Sequence, residues 1–356
     1  MADMHFDTPF TVLNSRNKLG EKRRLEQREA FKEVIDYIKS NKVKYLFISG
    51  DLYDHEYIRS TTIEYINNLF KEIPNTQIYI TPGNHDPYLN NSMYKKYNWN
   101  NNVFIFDENL KIIENNDCDI YGYGFNDFYY KNNIIDKIKI KNKEKINILI
   151  THGALSGGAS FDMEYNPLNK NKLKELGFDY IALGHIHKPD YETEINQRII
   201  YPGSTISMGF DELGKHGVIY GELSKENIKL DFIPVDKKEF KEKKIDISDM
   251  NSEEELIEKI NNLSLEANVY YKLILIGDKN FEINLYNIFK FILNENIIKI
   301  KNEAKLKINL EEISRENNLK GLFVKEILKE LNENNYDKKI LENALEIGLE
   351  AIQNNK

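Results

Sequence analysis

The sequence predicts an α/β protein built on two packed sheets, and three observations lead there. Apolar runs of strand length alternate with amphipathic helical stretches up to Gly184. Five short motifs rich in His, Asp, Asn and Gly follow one another, four of them at the ends of those apolar runs. After residue 190 the texture turns β-rich. Strands alternating with helices imply buried strands covered by helices.

Each element has its own signal. Residues 22–40 read as an amphipathic helix with Leu25, Phe31, Val34, Ile35 and Ile38 on one face. Val43–Ser49 is a strand ending at Gly50-Asp51, and Ser60 or Thr61 caps a second helix carrying Ile63, Ile66, Leu69 and Phe70. Gln77–Thr81 ends at Pro82-Gly83-Asn84-His85, Ile146–Ile150 at His152, and Tyr180–Leu183 at Gly184-His185. Arg198–Tyr201, Gly217–Glu222 and Ile228–Val235 read as strands that complete a second sheet packed on the first.

Lys237–Lys244 is charged without apolar periodicity and is expected to be a boundary. Residues 252–300 then read as helix, strand (Val269–Ile276), helix (Phe281–Leu293) and strand (Ile297–Lys301). Residues 310–356 read as charged helices. One apolar stripe there holds Leu319, Leu322, Phe323, Ile327, Leu328 and Leu331; another holds Ile340, Leu341, Ala344, Leu345, Leu349 and Ile352. The expected regions are therefore 1–236, 245–302 and 310–356.

Composition narrows the class. The chain has 356 residues, 41% hydrophobic and 30% charged, as in globular proteins with a large core. Its 49 basic and 57 acidic residues leave a net charge of -8, which argues against this chain gripping nucleic acid alone. The one cysteine, Cys118, forms no intrachain disulfide and reads as a packed residue of a reducing compartment. With no signal peptide and no apolar run of about 20 residues, a cytoplasmic location without membrane attachment is expected.

The motifs are Asp3-x-His5, Gly50-Asp51-Leu52-Tyr53-Asp54, Gly83-Asn84-His85-Asp86, Thr151-His152-Gly153 and Gly184-His185-Ile186-His187. Five of the seven histidines fall inside them, so the scatter is not random. Ligands of open α/β sheets bind outside the C-terminal strand ends, so these segments should converge on one rim; Asp3 and His5 alone lack a preceding strand.

Hydrolysing a phosphodiester needs a nucleophile made from water, neutralised phosphate charge and a proton for the leaving oxygen. Two divalent metals about 3.5–4 Å apart supply the first two. A mixed His, Asp and Asn set suits Mn, Fe or Zn rather than Mg or Ca. Asp3, His5 and His187 are assigned to one metal, and Asn84, His152 and His185 to the other, with Asp51 bridging. Serving different metals requires a sharp turn between His185 and His187, which Gly184 is expected to provide.

His85 is left without a metal and is the candidate proton donor to the leaving alkoxide, with Asp54 orienting it. The remaining histidines, His55 and His216, read as ordinary surface or loop residues. Tyr94, Lys95, Lys96, Tyr97 and Trp99 are weighed as a DNA contact, but a solvated loop is favoured. Arg23, Arg24 and Arg28, interleaved with Glu21, Glu26 and Glu29, read as a solvated helix face.

The ordered motifs resemble the calcineurin-like metallophosphoesterase superfamily, whose fold is a two-sheet sandwich flanked by helices. Within it the chain is similar to the DNA repair exonuclease branch of SbcD and YhaO-like proteins. The opening Ala2-Asp3-Met4-His5-Phe6-Asp7-Thr8-Pro9-Phe10 carries that likeness, as does Tyr201-Pro202-Gly203-Ser204 followed by Phe210-x-Glu212-x-Gly214 and Gly217. The likeness is specific over residues 2–220 and looser beyond.

The resemblance implies a Mn-dependent DNA nuclease working with an SbcC-like coiled-coil ATPase, and a twofold homodimer. It also implies a small capping domain over the active site at residues 245–302, and ATPase-docking helices at 310–356. Two rival readings are a phosphoesterase for small-molecule or nucleotide phosphodiesters, and a non-catalytic scaffold for the ATPase. In relatives an apolar strand precedes Asp-x-His, whereas here only Met1 and Ala2 do. The natural chain is therefore expected to begin upstream, leaving Asp3 and His5 on a loose terminus with a weakly held metal.

Overall fold

Two sheets lie face to face with helices outside both. The structure, a computed structural model, describes residues 1–10, 13, 19–130, 134–155, 165–191, 197–306, 310–333 and 337–353. The chain runs from α1 (Leu19–Asn41) through β1 (Tyr45–Ser49), α2 (Ser60–Lys71), β2 (Gln77–Thr81) and α3 (Met93–Lys96) to β3 (Val103–Ile105). Strands β1, β2 and β3 form a parallel sheet in that order.

Side chains alternate across a strand, so one strand serves two cores. Leu46, Ile48, Ile78 and Ile80 pack with Phe31, Val34 and Ile35 of α1 and Ile63, Ile66 and Phe70 of α2. Phe47 and Tyr79 point the other way, into the space between the sheets.

The second sheet has five strands: β4 (Lys111–Glu114), β5 (Cys118–Gly122), β6 (Ile146–His152), β7 (Tyr180–Gly184) and β8 (Ile199–Ile200), in that order. Only β4 is antiparallel to its neighbour. Ile148, Ile150 and Ala182 join Cys118 and Ile120 in the inter-sheet core. Leu149, Ile181 and Leu183 face outward to Leu173 of α4 (Lys170–Leu176). That helix starts where the Asn169 side chain accepts from the amides of Asn171 and Lys172, and stops at left-handed Gly177. The layers are helix, sheet, sheet, helix.

Several expectations are corrected. The second sheet begins at Lys111, and the sequence reading missed β3, β4 and β5. Of the three strands assigned to it, only Ile199–Ile200 joins. β9 (Gly217–Leu223) and β10 (Ile228–Pro234) instead form their own antiparallel hairpin. Its turn closes with Ser224 N donating to Asn227 O at 2.8 Å, so the pair satisfies its own ladder.

Lys237–Lys244 is largely a strand, β11 (Glu239–Asp246). Phe240 and Ile245 are buried there, while Lys241 reaches Glu266 at 2.8 Å, so charge masks the strand signal.

Leu25 is 60% exposed. The buried face of α1 is Leu19, Arg23, Gln27, Ala30, Phe31, Val34, Ile35 and Ile38. That is a regular helical stripe, hidden from the sequence because two of its members are polar. Arg23 is not on a solvated face: its side chain is fully buried, donating to Asp236, Glu26 and the Ser207 carbonyl.

Contacts divide the chain into two compact units. The first is Met1–Lys243 with Ser264–Lys272 and Asn294–Lys299; the second is Lys244–Leu263, Leu273–Leu293 and Ile300–Lys356. In the second unit, Ser252 caps the helix Glu253–Asn261 by accepting from the Glu255 amide. Helices Leu319–Glu333 and Lys338–Gln353 pack through Val324, Leu345 and Leu349, with Phe323, Ile327 and Leu328 against them. The rest of the two stripes is not all core: Leu319, Leu322 and Ile340 are each more than 60% exposed. Residues 334–336 and 354–356 of the expected helical region lie outside the described residues.

The Arg23–Asp236 pair generates a stability test. Arg23→Met strands a buried carboxylate and should cost about 3–5 kcal/mol, read by urea denaturation. Adding Asp236→Leu should recover much of the loss. A midpoint unchanged by Arg23→Met would mean that the pair is not holding the fold.

Candidate active site

The parallel strands aim their carbonyl ends at one rim, and the site forms there. Asp51 follows β1, Asn84 and His85 follow β2, His152 ends β6, and His185 and His187 follow β7. Asp3 and His5 arrive without a strand of their own. The expectation that they hang loosely is corrected: Asp3 is fully buried and His5 is 3% exposed. Asp3 N donates to Gly50 O at 3.1 Å, His5 N to Asp51 O at 2.9 Å, and Ser49 N to Met1 O at 3.0 Å. Gln27, buried on α1, donates to the carbonyls of Met4 and His5.

Four ligand positions adopt the left-handed backbone that non-glycine residues avoid: Asp3 (φ 50°), His5 (49°), Asp51 (52°) and His185 (98°). Each such residue costs on the order of 1–3 kcal/mol unless its surroundings hold it. The turn expected at Gly184 is therefore made by His185. Gly184 is needed for another reason, because a Cβ there would lie 1.9 Å from Ser49 O, where β7 crosses β1. Gly83 likewise leaves room for a ligand, since its Cβ would sit 2.2 Å from Asp51 Oδ1.

Asp86 fastens these loops. Its buried carboxylate accepts from the amides of Asp51 (3.0 Å), Leu52 (2.6 Å) and Gly83 (2.6 Å) and from the Tyr94 hydroxyl (2.5 Å). Burial, with Asp51 nearby, raises its pKa to about 6. Tyr94 is buried on α3, and Trp99 donates to Met93 O at 3.2 Å. The solvated-loop reading of residues 94–99 is thus corrected: its aromatic rings fix the site from behind.

The candidate side chains converge on one cluster. Asp3, His5 and His187 bring their donor atoms within 4.8 Å of one another, as do Asp3, Asp51 and His152. Asp51 Oδ2 lies 3.3 Å from His152 Nε2 and 3.7 Å from His5 Nε2, between the two groups. Asn84 Oδ1 is 3.0 Å from His152 Nε2 and 3.3 Å from His185 Nδ1. A donor set of this chemistry fits two divalent cations sharing Asp51. His85 also comes within 4.8 Å of His5 and Asp51, but its Nδ1 is turned to Asp54 Oδ1 at 3.0 Å. Asp54 holds His5 Nδ1 as well, at 2.9 Å.

Charge in the site is shared between carboxylates and imidazoles. Burial opposes the charge of His152, yet Asp51 and Asp3 outweigh it and raise its pKa to about 9. His187 is also raised to about 9, against burial, by its hydrogen bond to Glu212 and by Asp3. Burial pushes the Asp3 carboxyl up. Asp51 and Asp54 resist burial and are lowered, chiefly by His152 and by His5 with His85 respectively. His185, desolvated and facing His152, is lowered to about 4.

Residues to which the sequence reading gave no site role support this geometry. Glu212 Oε1 meets His187 Nδ1 at 2.5 Å, while its Oε2 accepts from Ser204 Oγ at 2.8 Å and Met208 N at 3.0 Å. A carboxylate on the outer nitrogen fixes the tautomer and orientation of a ligating histidine. His216 lies in a loop, as one half of its surface-or-loop reading has it, but it is buried and bonded to Ser204 and to Glu212 O, so the surface half is corrected. Arg28 holds Asp7 at 3.2 Å and Arg24 the Pro9 carbonyl at 3.4 Å, tying down the segment after His5. The motif around Phe210-x-Glu212 was the signal for Glu212; nothing marked Gln27.

A sandwich of this kind with clustered His and Asp donors at its rim has the makings of a metallophosphoesterase. Residues 1–189 match the calcineurin-like phosphoesterase family, and the chain belongs to it. The family binds divalent metals and hydrolyses phosphoesters. The chain is similar to the uncharacterized metallophosphoesterase YhaO of Bacillus subtilis, 27% identical over 246 residues, 65% of this chain and 58% of that protein. It is also similar to the SbcD component of the nuclease SbcCD of Staphylococcus epidermidis, 28% identical over 252 residues, covering 60% of this chain and 62% of that protein. The chain thus spans about three-fifths of the length of these relatives. Among the described residues, no helix is long and apolar enough to cross a membrane.

Two measurements follow. Ligating imidazoles must be neutral, so cations compete with protons at His152 and His187. Affinity for Mn should rise as pH goes from 6 to 9, with protons released on binding, by calorimetry in buffers of different ionisation enthalpy. Glu212→Gln should weaken Mn binding by about 10–100-fold in the same titration. An unaltered affinity would show that Glu212 does not orient His187.

Proposed function

We propose that this protein is a two-metal-dependent DNA nuclease acting in DNA repair with an SbcC-like coiled-coil ATPase. The observation that carries the chemistry is His85. It is a half-exposed imidazole beside the ligand cluster, held by a buried carboxylate. Burial works against its charge, but the hydrogen bond to Asp54 and the neighbouring Asp51 raise its pKa to about 9. It is therefore protonated at neutral pH, as a general acid must be.

The assigned ligands are Asp3, His5 and His187 for one cation, Asn84, His152 and His185 for the other, and Asp51 between them. Two bound cations, Mn in our assignment, would supply an activated water and neutralise the phosphate. His85 donates its proton to the leaving oxygen. Asp54 is a positioning residue: its carboxylate accepts from His85 Nδ1 at 3.0 Å and so fixes the orientation of the ring.

DNA as substrate is supported by the relative that belongs to a nuclease. The ATPase partner is supported by Leu319, Leu322, Ile340 and Ile347, all more than 60% exposed in the second unit. We assign residues 310–356 to that docking and residues 245–302 to a capping role. The net charge of -8 fits a chain that relies on a partner to hold DNA. A cytoplasmic setting accords with the free, buried Cys118, and a homodimer completes the proposed assembly.

Purified protein with Mn should cleave duplex or single-stranded DNA. His85→Ala should lower kcat by about 10²–10⁴-fold and leave Mn binding in place. Hydrolysis of a chromogenic phosphodiester without DNA cleavage, even with the ATPase present, would sink the nuclease reading. Activity should also fall as pH rises past the His85 pKa. Asp54→Asn removes the charge-assisted hydrogen bond that raises that pKa most and leaves the burial that lowers it, so the alkaline limb should move to lower pH. A limb that stays in place would exclude the Asp54 role.

A further inference from the structure

A cavity of about 410 Å³ opens beside the ligand cluster, lined by Asn84, His85 and the aromatic rings of Tyr57, Phe128, Tyr129 and Tyr165. Phe128 is 37% exposed, Tyr129 54% and Tyr57 50%, so large flat faces stand open to this space. Tyr130 is buried, bridges to Tyr165 as a strand pair, and accepts from the Asn166 amide at 2.7 Å. That pairing stacks Tyr129 on Tyr165 with centroids 5.9 Å apart and planes 27° from parallel. The row of rings continues from Tyr165 to His185 at 5.1 Å and from His185 to His152 at 5.3 Å. It therefore runs from the cavity wall directly into the metal-ligating cluster.

The charge of the lining selects what fits. Asp54 and Glu56 line the cavity, and among the described residues lining it there is no Lys or Arg. Apart from the His85 imidazole, a phosphate would meet no cationic side chain among these described residues to offset the two carboxylates. A flat, uncharged ring would meet aromatic faces at stacking distance. His85, the proposed proton donor to the leaving oxygen, forms part of the same wall.

We infer that this cavity is a nucleobase subsite, in which Tyr129, with Phe128 and Tyr57 beside it, stacks on the base of the leaving nucleoside. This deepens the proposed nuclease function and rests on it for the identity of the substrate. Stacking reads any base, so the subsite gives purchase on an unpaired nucleotide without sequence preference.

The test uses the full chain with Mn and a fluorescent aminopurine deoxynucleoside monophosphate, whose emission is quenched when its base stacks. Saturable quenching is expected, competed by thymidine monophosphate and not by deoxyribose phosphate. Tyr129→Ala should weaken binding on the order of tenfold or more, the loss expected for one base–aromatic stack. Tyr129→Phe, which keeps the ring face, should bind as the wild type does. Absence of quenching by the wild type, equal competition by the sugar phosphate, or unchanged binding by a Phe128→Ala, Tyr129→Ala double variant would each overturn the subsite. The two readings fail separately. Quenching without DNA cleavage would keep the base subsite and remove the nuclease; cleavage without quenching would do the reverse.

Discussion

One carboxylate holds the site together. Asp86 accepts three backbone amides and a phenol, and those donors come from the loop after β1, the loop after β2 and helix α3. Without it, Asp51 N, Leu52 N and Gly83 N would be buried donors lacking partners, each costing about 1–3 kcal/mol. The same bonds force Asp51 into its left-handed backbone and place its side chain between His5 and His152. Asp86 binds nothing itself in the proposed mechanism, yet the central ligand depends on it.

The two sheets then have to meet at the right offset. His152 Nδ1 pairs with Ser49 O at 2.9 Å, so a ligand of the five-stranded sheet is oriented by the last residue of β1 in the other sheet. Gly184 lets β7 come close enough for this to happen. The third support comes from the Ser204–His216 segment, whose Glu212 orients His187 and whose Ser207 is clamped by Arg23 and Asp236. The candidate ligands thus come from five segments, each held by partners remote in sequence.

Legibility in the sequence followed the physical origin of each feature. Asp51, Asn84, His152 and His185 were readable because short apolar runs end beside them, and strand ends are where α/β sheets bind ligands. Helices α1 and α2 were readable from periodicity, but the buried face of α1 was set partly wrong because Arg23 and Gln27 belong to it. A buried polar residue looks like a surface residue until its partner is known, and Asp236 and the Met4 and His5 carbonyls are remote in sequence. Sheet membership was lost for the same reason. β5 carries Asp119 among its apolar residues, and β11 carries three lysines, of which Lys241 reaches Glu266. The Tyr94–Trp99 stretch was misread because its basic residues drew attention from the rings, which turn inward.

Strain and charge are concentrated in the same few residues. Four left-handed ligand positions and a cluster of buried carboxylates are unfavourable taken singly. They persist because the sandwich core, with Ile48, Ile80, Ile150 and Leu183 fully buried just beneath the rim, leaves the loops no room to relax. His152 and His187 carry raised pKa values for the same reason: held against Asp3, Asp51 and Glu212, they accept protons to offset charge. A bound divalent cation would offset that charge more completely than a proton, and the imidazoles, once neutral, could hold it. The fold therefore specifies a site whose stability and metal affinity are two expressions of one electrostatic demand. The aromatic row from His152 through His185 and Tyr165 to Tyr129 extends outward from that demand into a cavity where flat apolar surface takes over from charge.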